Sequence, residues 1–435
     1  MALTRAGFIL RQFLGRLWVR SAAFALLGVL TAVAGNFIGP LLPKDLLELS
    51  GARSVRSLLT ILASSMLAVT TFSLSIMVQA YGAAAAAVTP RAVHLLLQDR
   101  TSQTVLSTFL GAFLFALVGL IALETGTYGD RGRVVLFFAT IAVTAAVALA
   151  ILRWISHLTN FGRVGDTTKR VEDAASDALR DRLERPCLGG IAADAAWLPV
   201  GHMPVMGPKV GYLRHIDMPH LQKMATQMLD GAPAKGPVLH LACLPGTFVH
   251  PAAPLLWIAP GLSADDASDR LCEAFTINDT RSFDQDPRFG LCVLAEIAQR
   301  ALSPAVNDPG TAIDVLGRVV RVLAKWGDHT DKAPEFPLVA VPPLVIADVM
   351  EDVFPDISRD GAGIFSVQMR LQKALLALAR LSPPTFAAEA MRQSARALAD
   401  AHARLPHEGD VALLAQVSDA IAAVNRKTEG RPRTL

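Results

Sequence analysis

Four blocks of about twenty apolar residues stand in the first third of the chain, at about Ser21–Leu42, Ser57–Gln79, Thr104–Leu123 and Val134–Ile155. Each has the length of roughly 20 residues that lets a helix cross about 30 Å of hydrocarbon, where the chain must satisfy every backbone N–H and C=O internally. No other feature restricts the fold as strongly: with 52% hydrophobic and 18% charged residues in 435 positions, the chain is too apolar to be uniformly soluble. The excess is confined to these blocks, and beyond about residue 160 the charge density is that of an ordinary soluble domain. The expected architecture is therefore a membrane α-helical domain of four transmembrane helices over residues 1–160, joined to a soluble α+β region. A net charge of +3 with no concentrated basic face excludes nucleic acid as an expected partner.

The basic residues set an orientation. Arg5, Arg11, Arg16 and Arg20 precede the first block, Arg91 and Arg100 lie between the second and third, and Arg153, Arg163, Lys169 and Arg170 surround the end of the fourth. They outweigh Lys44, Arg53 and Arg56 in one opposite loop and Arg131 and Arg133 in the other. By the positive-inside rule, both ends of a four-span chain then face the cytoplasm across a bacterial-type inner membrane. Ala32-Val33-Ala34-Gly35 has the small-x-small form of a signal-peptide cleavage site. The charged leader is long for that role and three more apolar blocks follow, so an uncleaved span is expected.

Along the second block, steps of three and four residues bring Ser57, Thr60, Ser64, Ala68, Thr71, Ser75 and Gln79 onto one helical face. Small hydroxyl residues let helices approach closely in a membrane, and packing is the favoured reading. The same stripe is also suited to lining a water-filled path, although no charged residue lies within it to select an ion. The block runs on through Tyr81, Gly82 and five alanines to Val88-Thr89-Pro90, so the helix is expected to leave the bilayer and end in an elbow containing His94, Asp99 and Arg100.

After the fourth block, residues 161–185 read as an amphipathic helix ended by Pro186. Residues 186–260 are rich in proline, glycine and short apolar runs at Gly211–Asp217, Pro237–Cys243 and Pro254–Ile258, which predicts a small β-rich domain. Within it Leu244-Pro245-Gly246-Thr247-Phe248-Val249-His250-Pro251 is similar to the turn of a barrel-sandwich module of the lipoyl kind, without the hairpin-tip lysine that would carry a cofactor. From 261 to 426 the pattern turns helical, at Ala264–Phe275, Pro287–Leu302, Thr311–Trp326, Ile364–Leu381, Thr385–His402 and Asp410–Arg426. A helical bundle is expected there, followed by a polar tail over 427–435 without structure.

His202, His215, His220, His240 and His250 fall close together, but their spacing fits no metal motif, and Cys187, Cys243, Cys272 and Cys292 form no CxxC pair. Neither metal nor cofactor is expected. No nucleophile elbow, phosphate-binding loop, zinc-protease or dinucleotide motif is present, so an enzyme is not the expected function.

Two phrases stand out in the helical part: Gln285-Asp286-Pro287-Arg288-Phe289-Gly290-Leu291, and Arg300-Ala301-Leu302-Ser303-Pro304-Ala305-Val306-Asn307-Asp308-Pro309-Gly310-Thr311-Ala312. They resemble the QDP-x-FGL and RALSP-x-x-NDP-x-TA phrases of DUF2254, a family of predicted bacterial membrane proteins. Phe72–Ser75, Thr89-Pro90-Arg91, Asp99-Arg100, Phe109-Leu110-Gly111 and Gly211–Asp217 follow the family order too, so the resemblance extends over most of the chain. The alanine run at 83–87 departs from it, standing where the family more often has polar residues. The resemblance implies a fold outline and no activity.

Read physically, Asp286 and Asp308 each precede a proline at a helix start and are suited to capping. Asp286, Arg288, Glu296, Arg300, Asn307 and Asp308, with Asp314 and Arg318, bring polar groups into otherwise apolar helices. If buried, they must pair with one another or with a bound ion or solute; internal pairing is the favoured reading. The function expected from these features is a homo-oligomeric membrane protein that forms or regulates a permeation path, with a cytoplasmic gate or sensor. The alternative is a membrane-anchored sensory or scaffolding protein. The lipid bilayer is the one defined partner, and the solute or ion is unspecified.

Overall fold

Apolar sequence in the first third folds into long helices because a helix alone closes its backbone hydrogen bonds without a neighbour. The computed structural model describes residues 17–38, 52–97, 99–126, 132–158, 163–194, 200–231, 233, 236–262, 267–328 and 333–429. The described residues fall into two compact units, one up to Thr167 and the other from Thr168.

The first unit contains helices α1 (Leu17–Ile38), α2 (Ala52–Ala87), α3 (Pro90–Leu97), α4 (Arg100–Glu124) and α5 (Gly132–Leu158). Among the described residues three helical segments are long and apolar enough to cross a membrane: Val55–Ala85, Thr101–Glu124 and Gly132–Leu158. In α1 the qualifying apolar stretch, Ser21–Thr31, is shorter, and the expected first span's residues beyond Ile38 lie outside the described residues. Helix α4 is the hub of this unit, 61% buried over its most apolar stretch against 22% for α2 and 28% for α5. Its Phe109, Ala112, Phe115 and Ala116 pack with Leu59, Leu62 and Met66 of α2 and with Leu136, Val143 and Val147 of α5.

Gly111 explains part of the Phe-Leu-Gly phrase: a Cβ there would lie 2.5 Å from Cγ of Phe24, so only glycine admits the ring of α1. Such small-residue contacts replace the hydrophobic drive that is missing inside lipid. Helix α2 does run on past the expected span, 36 residues in one piece, or roughly 54 Å at 1.5 Å per residue. Its end is turned into α3 by Thr89, whose hydroxyl accepts the N–H of Ala92 at 3.2 Å, with Pro90 opening the new helix. Asp99 caps α4 through the N–H of Ser102 at 2.7 Å.

The second unit starts with most of α6 (Val164–Glu184) and builds two sheets. Its strands are β1 (Gly190–Ala192), β2 (Met203–Met206), β3 (Gly211–Ile216), β4 (Leu239–Leu241), β5 (Phe248–Val249), β6 (Pro254–Ile258), β7 (Phe275–Asn278) and β8 (Phe336–Val341). One sheet has the order β1-β8-β4-β6-β2, with β8 parallel to both neighbours and β6 antiparallel to both of its own; the other is antiparallel, β5-β3-β7. Helices α7 (Met218–Leu229) and α8 (Ala267–Cys272) pack beside them. Leu213, Ile216, Leu221, Met224, Leu239, Leu256, Ile258, Phe275, Ile277 and Val339 share one core.

This differs from the sequence expectation in two respects. The sheets are not confined to 186–260, since β7 and β8 come from the stretch read as helical. Phe275 sits in a strand because Phe-Thr-Ile-Asn alternates inward and outward, while Phe336–Val341 is an apolar run whose period does not separate strand from helix. The Leu244–Pro251 phrase is a turn feeding the two-residue β5, and the sheet beside it has parallel pairs, unlike a module built of hairpins.

The remainder is helical: α9 (Pro287–Leu302), α10 (Pro309–Leu323), α11 (Ile346–Glu351), α12 (Phe354–Asp360), α13 (Phe365–Leu381), α14 (Pro383–Arg404) and α15 (Glu408–Glu429). Helix α15 continues through Lys427, Thr428 and Glu429, into the tail expected to lack structure. Leu371, Ala374, Leu375 and Leu378 form the buried face of α13. Buried Gln372 donates to Ser394 O at 3.0 Å and accepts from the Ser394 hydroxyl at 2.6 Å, which fixes the register of α13 against α14.

Candidate functional site

The stripe of α2 lies on the surface of its unit. Ser57, Thr60, Ser64, Ala68, Thr71, Ser75 and Gln79 are all exposed, whereas Val55, Leu59, Leu62, Met66, Ser73 and Met77 turn inward. The polar groups are satisfied locally. Thr60, Ser64 and Thr71 donate to the carbonyls of Arg56, Thr60 and Leu67 at 2.8, 2.9 and 3.0 Å, and Gln79 donates to Ser75 Oγ at 3.3 Å. Back-bonding of this kind removes the desolvation penalty of a hydroxyl in lipid or against another helix.

The second set of predicted residues divides between the two ends of α9. Asp286 caps its start, accepting the N–H of Phe289 at 3.2 Å; Asn307 and Asp308 lie past its end, about 24 Å away by helical rise. Asn307 has φ +49 in the turn, and Asp308 caps α10 through the Thr311 N–H at 3.1 Å and hydroxyl at 2.6 Å. Those contacts hold the exposed Asp308 carboxyl below its ordinary range. Glu296 and Arg300 occupy the middle and end of α9. The six residues therefore do not converge on one place.

Most of the other charges are paired. Arg288 binds Asp352 bidentately at 2.6 and 2.9 Å and Asp348 at 3.2 Å. Arg318 and Arg321 meet on Glu172 of α6 at 2.8 and 2.6 Å. Burial works to raise the Glu172 carboxyl, but the two guanidinium groups outweigh it and hold it below the ordinary glutamate range.

Around the start of α9 these elements enclose a cavity of about 380 Å³. Its walls are the Ala242–Thr247 turn, Arg281, the Asp286-Pro287-Arg288 phrase, the Pro342–Val345 segment with Asp348, and Arg182 from the end of α6. Gly246 has φ +98 and a Cβ there would stand 2.3 Å from Asp286 Oδ2, so the turn approaches the carboxylate as only glycine allows. Asp286 is 2% exposed and accepts Nε and Nη2 of Arg281 at 2.8 Å each, while Arg281 also lies 4.9 Å over the Phe289 ring. Burial raises the Asp286 carboxyl despite that pairing.

Arg182 is 6% exposed; its Nη2 donates to Gln285 O at 3.0 Å, and its Nη1 has no hydrogen-bond partner. Burial lowers this guanidinium to about 10, against the pull of Asp286. Arg182, Arg281 and Gly246 were not among the sequence candidates. A buried arginine on the amphipathic α6 reads like its solvated neighbours, and only tertiary structure brings it to the Gln-Asp-Pro phrase.

The histidines are dispersed. His202 and His240 approach edge to face at 5.2 Å, His220 meets Arg270 O, and the His250 ring accepts the Ala252 N–H. Among the described residues no three His, Cys, Asp or Glu side chains are grouped to hold a metal ion.

The sequence profile described as "Predicted membrane protein (DUF2254)" matches residues 15–377. The chain belongs to the DUF2254 family. Its relatives include uncharacterised proteins of Mycobacterium bovis and Mycobacterium tuberculosis, each 27% identical over 342 residues, covering 74% of this chain and 63% of the relative. The match thus spans less than two thirds of those relatives' length. No solved structure matches significantly. The phrases typical of DUF2254 mark caps and close contacts: Asp99, Asp217, Asp286 and Asp308 cap helices, and Gly290 leaves room for Ala175, whose Cβ would otherwise be 2.5 Å from a side chain there.

Proposed function

We propose that this DUF2254 protein is a multi-pass inner-membrane protein with four spans and both termini in the cytoplasm, which assembles as a homo-oligomer around α2 and forms or regulates a permeation path. One observation carries the reading: every member of the Ser/Thr stripe faces away from the protomer's own core. A helix face of small, self-satisfied hydroxyl residues suits close contact with another helix or with water, and it gives no advantage against lipid tails. The soluble unit, with its sheets and helices on the cytoplasmic side, then acts as gate or sensor.

Conductance in planar bilayers tests this, with Ser64→Leu and Thr71→Leu beside the wild type. The expected outcome is a current that both leucines abolish in protein that remains folded and oligomeric. Silence of the wild type across several ions and voltages favours the second reading, a membrane-anchored sensory or scaffolding protein. That alternative draws support from the back-bonding of Thr60, Ser64 and Thr71, which leaves their hydroxyl protons already donated.

A further inference from the structure

The wall of the 380 Å³ cavity carries three cations, Arg182, Arg281 and Arg288, and two anions, Asp286 and Asp348, with Asp352 behind Arg288 as a third. The anions are committed. Asp286 is taken by two N–H groups of Arg281 and by the Phe289 amide, and Asp348 by Arg288, which is itself clamped on Asp352. Arg182 is left with one carbonyl partner and a free N–H on Nη1, in a side chain 94% removed from solvent by its 6% exposure. An unmade hydrogen bond on a buried charged group is costly, and such groups in folded proteins call for a partner. The rest of the wall, Leu244, Pro245, Pro342, Pro343 and Leu344, is apolar, and the volume lies in the range of small-molecule sites.

We propose that this cavity binds a small molecule with an oxyanion head, phosphate or carboxylate, which accepts the free N–H of Arg182, with its apolar body against the proline-lined wall. Guanidinium groups recognise both head groups through paired N–H donors. The Asp286–Arg281 pair acts as a positioning element. It holds the Gly246 turn against α9, so the cavity keeps its shape before the ligand arrives. The proposal rests on the soluble unit alone and is independent of how the membrane helices assemble.

The test is ligand-dependent thermal stability of the full chain in nonionic detergent, titrated with sodium phosphate and separately with sodium acetate, at ionic strength held constant with sodium chloride. The expected result is a saturable rise of the unfolding midpoint with at least one of the two ions, the one with the lower half-saturation identifying the head group. In Arg182→Met the half-saturating concentration should increase at least tenfold. Thr247→Trp, at an exposed position of the wall, fills the cavity while keeping Arg182, and should have the same effect; it decides the matter if Arg182→Met does not fold. Lack of saturable stabilisation by both ions overturns the proposal. So does an unchanged half-saturation in folded Arg182→Met, or in Thr247→Trp where that variant alone folds.

Discussion

The two units differ in the polar contacts that they add to helix-local bonds. In the membrane unit the hydroxyls of Thr31, Thr60, Ser64, Thr71, Ser107 and Thr140 each donate to the carbonyl four residues back in the same helix. In the second unit, beside local caps such as Asp308 with Thr311, helices are joined by distant partners: Glu172 joins arginines 146 and 149 residues away, and Arg288 joins aspartates 60 and 64 residues away. A local bond survives wherever the helix goes, so a membrane helix remains free to present the same face to lipid, water or another copy. A long-range bond exists only in one tertiary arrangement and therefore specifies it.

The first unit also has long-range polar contacts, Arg56 with Glu124 and Tyr81 with Leu96 O among them, and one is buried. Asp99 in the first is buried against His157, 3.0 Å away across α4 and α5, with Ser102 Oγ 3.2 Å from the same ring nitrogen. In the second unit, Arg182 is a buried cation with a free N–H on Nη1.

The contrast breaks most readily at Glu172. Replacing it with leucine leaves Arg318, only 13% exposed, without its inter-helix partner, and should destabilise the second unit by about 2 kcal/mol. Chemical denaturation of the full chain, with amide exchange followed over residues 309–323, checks this; unchanged protection there would remove the distinction. At the buried long-range pair of the membrane unit, Asp99→Asn keeps a side-chain oxygen for the cap but weakens the contact with His157. A loss of about 1 kcal/mol is expected, read as faster exchange at the start of α4.

A pH titration sharpens the side of the second unit. Burial, followed by the neighbouring His202, depresses His240 below its ordinary value of 6.5. A base with a lowered folded pKa binds fewer protons folded than unfolded, so stability is full above about 6.5 and declines as pH falls from there through the folded value. The unfolding midpoint should fall over that window in wild type and fall less in His240→Asn. The smallest effect is expected at Thr71→Val, whose lost bond is local and exposed: the protomer should change by no more than about 0.5 kcal/mol. A larger loss in detergent-solubilised monomer would mean that Thr71 is held by tertiary structure after all.

The same distinction explains what was legible in the sequence. The sequence places helix α9 at Pro287–Leu302, the bounds it has, because Asp286-Pro287 and Ser303-Pro304 are local start and stop signals. Three of the apolar blocks appear as helices long enough to span, since length and composition decide that alone. Strands β7 and β8 were missed because their pairing is with residues up to a hundred positions away or more, such as Phe336 with Gly190. The cavity was half legible. Asp286 and Arg288 were singled out by their phrase, whereas Arg182 and Gly246 reach it only through folding, and Asn307 and Asp308 proved to serve a different turn.

The central claim is that the exposed stripe of α2 meets a second copy of the chain. Single cysteines at Ser64, Thr71 and Ser75, and at the inward-facing Leu62 and Met66 as controls, can be oxidised in native membranes in a background where Cys187, Cys243, Cys272 and Cys292 are serines. Disulfide-linked dimers at the three stripe positions and none at Leu62 or Met66 is the predicted pattern. Absence of cross-linking at all three stripe positions, in protein that is folded and membrane-inserted, would contradict the account.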